Sequence, residues 1–107
     1  MVKVMVKMGR RNRLDIVFDI LKLCEEGALK TQIMYQANLS YAQLQKYLEV
    51  LQRIEFITKK KIKKKRLYFA TSYGSNYLQK YPEIQVLSNK IAEMFEETDS
   101  EKGIEND

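Results

Sequence analysis

The sequence predicts a mainly α fold with a small β-hairpin (α+β), extended by a C-terminal helix. Three observations predict it. Residues 40–54 carry an amphipathic helical pattern, with Leu44, Leu48 and Leu51 on one stripe. Two β-prone runs, Phe56-Ile57-Thr58 and Leu67-Tyr68-Phe69-Ala70, follow at once and bracket a cationic segment. Beyond them Ile84, Leu87, Ile91 and Met94 recur at three- and four-residue spacing, with Phe95 alongside. A chain of 107 residues holds one small domain with an added arm.

In chain order, residues 1–9 alternate Val and Met with Lys and read as a leader or short edge strand, too short for a secretory apolar core. Arg10, Arg11 and Arg13 form a basic lead-in. Asn12 suits the cap of a first helix, about Arg13 to Glu26, with Asp15 complementing its dipole. Leu14, Val17, Phe18, Ile20, Leu21 and Cys24 share its apolar face, and Gly27 fits the C′ stop. Asp15 and Asp19 read as solvated carboxylates. Ala28 to Lys30 is a connector or a small first strand, and Thr31 caps a second helix, about Gln32 to Ala37, with Ile33 and Met34 inward. Asn38 fits a left-handed turn.

Ser40, with Gln43 three residues on, has the spacing of a capping box and opens the third helix, which ends at Ile54. A short helix, a tight turn and a longer amphipathic helix make a helix-turn-helix. Tyr47 flanks the buried stripe. Ala42, Lys46, Glu49 and Arg53 point outward, with Gln43 and Gln45 on the shoulders. On composition alone this is a solvated face. The neighbouring segment alters that reading, because residues 59–66 hold seven cations in eight positions: Lys59, Lys60, Lys61, Lys63, Lys64, Lys65 and Arg66 around Ile62. Such crowding opposes folding by self-repulsion and makes sense if the tip meets phosphates. The turn lacks an Asn-Gly or Gly-Gly signal, so its position is open.

Thr71 caps the final helix from about Ser72. Pro82 interrupts it, either as a kink or as the start of a new helix. The stripe Ile84, Leu87, Ile91, Met94 and Phe95, with Tyr77 before it, packs either on its own domain or on a second copy. The organisation is therefore a leader (1–9), a domain (10–81), a dimerisation helix (82–96) and an acidic disordered tail (97–107).

Charge is segregated along the chain. Residues 1–81 hold 17 Lys/Arg against 6 Asp/Glu, and residues 82–107 hold 2 against 8. The basic body calls for a polyanionic partner. An enzyme is disfavoured: there is no histidine, the four glycines are scattered, and the single cysteine builds neither a zinc site nor an internal disulfide. No cofactor or small-molecule ligand is indicated. Without a disulfide framework or a membrane-spanning apolar run, a cytoplasmic setting is expected.

The order of helix, helix-turn-helix, hairpin and long terminal helix resembles a winged helix. More narrowly, the stretches 13–21, 30–40 and 71–74 resemble the small archaeal winged-helix DNA-binding proteins of the Sso10a-like type, over roughly residues 10–95. Similar domains are common among archaeal viruses, so the resemblance admits a viral source and a host cytoplasm. It implies a homodimer joined through the last helix as an antiparallel coiled coil, a pattern from which Pro82 departs. The wing is more lysine-rich than the pattern.

Together these readings give a transcriptional regulator that binds double-stranded DNA. The third helix would read the major groove with Tyr41, Ala42, Gln43, Gln45 and Lys46. The wing cations, with Arg10, Arg11 and Arg13, would hold phosphates or line the minor groove. Two alternatives stand beside it: a nucleoid-type protein coating DNA without sequence preference, and a winged helix that docks another protein.

Overall fold

The computed structural model describes residues 11–105, and the side chains of residues 11–98. The leader, Arg10 and the last two residues lie outside the described part. The order of elements is α1 (Arg13–Leu23), α2 (Lys30–Gln36), α3 (Tyr41–Arg53), β1 (Ile57–Ile62), β2 (Lys65–Ala70) and α4 (Ser72–Glu105). The mainly α fold with one antiparallel hairpin is the one the sequence predicts.

Local chemistry sets the helix starts. Asn12 accepts from the Asp15 amide at 2.9 Å, and Asp15 accepts from the Asn12 amide at 3.2 Å. Ser40 and Gln43 form the second such box at 3.1 and 2.9 Å. The Thr71 hydroxyl accepts from the Gly74 amide. Each satisfies amides that a helix start leaves without partners.

Several boundaries differ from the expectation. α1 ends at Leu23, with Cys24 as its cap, rather than at Glu26. Gly27 therefore lies beyond the C′ position and serves a later bend, at φ +92° with the Phe69 ring against its α-carbon. α2 starts at Lys30, not after Thr31; the Gln32 side chain reaches back to the Leu29 amide and takes over the capping. α4 runs unbroken through Pro82. Proline removes a donor there, but packing of Tyr77, Leu78 and Tyr81 just before it holds the helix on course. Helical backbone continues to Glu105, over residues where the sequence reading expects a tail from 97. Glu and Lys are good helix formers, and the first glycine in that stretch is Gly103.

The core gathers Ile20, Leu21 and Cys24 of α1, Ile33 and Ala37 of α2, and Leu44, Leu48 and Leu51 of α3. Ile57, Tyr68 and Leu78 close it from the hairpin and α4. Burial pushes the Cys24 thiol up to about 12, so it is an inert core group. Ala28 pairs with Tyr68 as an isolated antiparallel bridge, which ties the α1–α2 connector to the hairpin. Leu14, expected on the apolar face, is instead exposed. Among the described residues no helix is long and apolar enough to cross a membrane.

Candidate nucleic-acid interface

The helix-turn-helix is locked by a largely buried ion pair. Arg11 donates to Asp19 at 2.8 Å and to the Ala37 carbonyl at 2.6 Å, with the Asn38 carbonyl at 3.3 Å. Asn38 itself turns the chain at φ 55°, and Leu39 tucks into the core. The expected phosphate contact of Arg11 is therefore corrected: its guanidinium is used inside the domain. Asp15 and Asp19 are likewise buried rather than solvated. Asp15 accepts from the Asn12 amide and the Tyr81 hydroxyl, and Asp19 holds Arg11. α1 thereby orients the turn and the base of α4 around α3.

α3 presents a polar ridge. Tyr41, Ala42, Gln43, Gln45, Lys46, Glu49 and Arg53 are exposed, and Arg53 meets Glu49 at 3.5 Å. The ridge divides into two flanks. On one, Gln45, Glu49 and Gln52 face Lys59 of β1 and Lys30 of α2 across a groove of about 260 Å³ floored by Leu48 and Tyr68. On the other, Gln43 and Lys46 stand with Arg13 around a hollow of about 520 Å³ lined by Val17, Tyr47, Val50 and Leu51. Of the base-reading candidates, Gln45 is thus set beside the hairpin, while Gln43 and Lys46 are set beside α1. Tyr41 stands at the head of the helix with the Lys30 ammonium 5.4 Å from its ring centroid.

The hairpin is regular over six pairs, from Ile57↔Ala70 to Ile62↔Lys65. Cationic residues therefore occupy both strands rather than a loose loop. Lys63 and Lys64 form the two-residue turn, at φ 49° and 70°. Positive φ at both positions is the requirement of the primed turn that matches strand twist, which places the turn the sequence leaves open. Opposite residues in the register share a face. Lys59, Lys61 and Arg66 lie on the face of Ile57 and Tyr68, toward α3; Lys60 and Lys65 lie on the face of Phe69. Lys59 and Lys60 sit 5.7 and 5.3 Å from the centroids of the Tyr68 and Phe69 rings. None of the seven wing cations is ion-paired among the described residues.

Sequence reasoning missed Lys30 and Gln52 as members of the groove, and gave Glu49 no role in it. Lys30 reads as connector in the sequence, and only the packing of α2 against α3 brings it beside Gln45. The dimer candidates divide as well. Tyr77 is an intramolecular residue: its hydroxyl donates to the Leu14 carbonyl at 2.9 Å, and its ring packs near Phe56 and Tyr81. Ile84, Leu87, Ile91, Met94 and Phe95 are exposed, from 54 to 65%, on the part of α4 beyond the core.

Comparison with known proteins agrees with this architecture. A family described as winged helix-turn-helix matches residues 10–89. An uncharacterized protein of Methanocaldococcus jannaschii is 32% identical over 83 residues, covering 76% of this chain and 81% of its own. The crystal structure of Sso10a-2, a DNA-binding protein from Sulfolobus solfataricus, superposes with a TM-score of 0.74 at 26% identity, covering 84% of this chain and 95% of that one. A cysteine-to-serine mutant of Lactococcus lactis ZitR shares the fold at a TM-score of 0.55 and 19% identity, over 94% of this chain and 81% of that one. The chain belongs to the winged helix-turn-helix family.

Proposed function

We infer that this chain is a DNA-binding protein, and not an enzyme, that acts as a homodimeric regulator of transcription inside the cell. The observation that carries the reading is the groove in which Gln45, Glu49 and Gln52 of α3 face Lys59, beneath a lysine-rich hairpin. A helix ridge of amide and ammonium groups matches base edges in a major groove wide enough to admit it. An adjacent cationic ribbon then falls on the flanking phosphates or minor groove. Family membership and the likeness to Sso10a-2 support the same reading. Tyr41, Ala42, Gln43, Gln45 and Lys46 are the base-reading candidates, and Arg13, Lys30 and the seven wing cations the backbone candidates. Arg10 lies outside the described residues and stays a candidate from its charge alone. The exposed stripe on α4 is the surface through which two copies pair.

The test is titration of a labelled duplex at about 0.15 M salt, with and without excess nonspecific DNA. Binding that survives competitor supports a regulator, and binding that competitor abolishes makes the chain a nucleoid-type coat. Absence of binding at any salt would turn the reading to a protein partner. If about six phosphates are neutralised, log K falls with log salt at a slope of about −5, and replacing Lys63, Lys64 and Lys65 with Ala flattens it by roughly 3.

A further inference from the structure

We propose that Ile62 is an apolar wedge with which the wing opens a base step in the minor groove, so that the protein deforms the duplex as well as holding its phosphates. The inference rests on the duplex reading above and adds a mode of contact to it. Ile62 is the one apolar residue among positions 59–66. It is the last residue of β1, beside the Lys63–Lys64 turn, and is 42% exposed. It lies five residues past Ile57, the last buried residue of its strand. At about 3.3 Å per residue that is roughly 16 Å from Ile57, and roughly 10 Å along the hairpin from Tyr68, the core residue of β2 that pairs with Lys59. On its own face the cross-strand partner is Lys65, the diagonal neighbour is Leu67, and the Phe69 ring is taken by Gly27 and Lys60.

Strand preference alone does not select isoleucine here, because threonine is equally β-branched and more soluble. The surroundings point to a different use. Lysines before, after and across from Ile62 draw the tip toward the strong negative potential of a narrow minor groove. Paired strands lie about 4.8 Å apart before side chains are counted, and the undistorted minor groove is about 6 Å wide. With side chains added the tip fills that groove, and a groove that opens admits it more deeply. Inserting an aliphatic side chain between bases opens it, with kinks of roughly 20–90°. The tight turn at Lys63 and Lys64 holds Ile62 in the last pair before the apex.

The experiment uses the full chain and a mixed-sequence duplex of about 30 bp containing TA steps, at about 0.05 M salt and saturating protein. One version carries dyes at its ends for energy transfer, and another carries 2-aminopurine at the TA steps. The wild type is expected to shorten the end-to-end distance and brighten the probe. Ile62→Thr, which keeps strand preference, should lose at least half of both signals while its affinity changes by no more than about threefold, since the phosphate contacts remain. Ile62→Met should retain them. Binding without either signal, or equal signals from wild type and Ile62→Thr, overturns the wedge and leaves the duplex reading standing. Absence of binding to any duplex overturns both.

Discussion

Lys63 and Lys64 occupy a backbone conformation that glycine and asparagine adopt easily and lysine does not. Their φ angles, 49° and 70°, cost about 1 kcal/mol each. Like charge on both sides of the turn adds repulsion. A turn chosen for stability would be Asn-Gly. Lys63→Asn together with Lys64→Gly is therefore expected to raise stability by about 0.5–2 kcal/mol in urea unfolding. The same pair should weaken duplex binding and reduce the magnitude of its salt slope by about 2. A less stable variant would show that the lysines have found compensation within the fold. Arg11 teaches the opposite lesson. In the sequence it is one of three neighbouring arginines, indistinguishable in charge from Arg13. Its partners, Asp19 on one side and the Ala37 and Asn38 carbonyls on the other, are brought near only by folding. Charge pattern reveals how many cations are present, while burial decides which remain for a ligand.

At the scale of elements, the interior was legible wherever a local rule acted alone. Asn12 and Ser40 announce helix starts because capping is settled within four residues. The Leu44, Leu48 and Leu51 stripe declares which side of α3 is inward. The start of α2 was missed although its signal, Gln32 three residues after Leu29, is local, whereas the run of α4 through Pro82 was not legible, because it depends on packing between distant segments. The junction of α1 and α4 is such a case. Tyr81 donates to buried Asp15, and Tyr77 donates to the Leu14 carbonyl. Burial, then the Asp15 charge, pushes the Tyr77 phenol up to about 12 from its ordinary 10.0. Burial and the Asp15 hydrogen bond push Tyr81 up as well. Both folded phenols keep their protons at a pH where the unfolded chain has released them. Stability from this source is whole below pH 10 and declines as pH rises through the interval up to about 12. Urea midpoints should hold steady from about pH 8 to 9.5 and fall by about pH 11. Tyr77→Phe, lacking the Leu14 bond, should start lower and fall less steeply over that range. An equal decline in both proteins would assign the loss to other groups.

At the scale of the whole molecule, two asymmetries coincide. The described chain is elongated, 66 Å by 29 Å by 26 Å, because α4 extends past the domain. Its sign of charge changes along the same direction, basic through residue 81 and acidic after it. Ile84, Leu87, Ile91, Met94 and Phe95 are thus held away from the core, on a stretch of helix whose acidic charge repels phosphate. That the stripe is apolar was legible from spacing; that the domain leaves it bare was not, since this depends on where α4 leaves the core. Pairing of two such helices removes the stripe from water, and each fully buried side chain of this kind contributes about 1.5–3 kcal/mol. In the dimer proposed above it would also set two α3 ridges at a fixed separation, as reading two half-sites requires. In sedimentation, the wild type is expected at twice the monomer mass, and Leu87→Lys with Ile91→Lys at the monomer mass with an unchanged circular dichroism spectrum. The variant should bind a single half-site normally and lose the cooperative occupation of two. A lysine variant that remains dimeric would move the interface off α4, and the hollow between Arg13, Gln43 and Val50 would be the next surface to test.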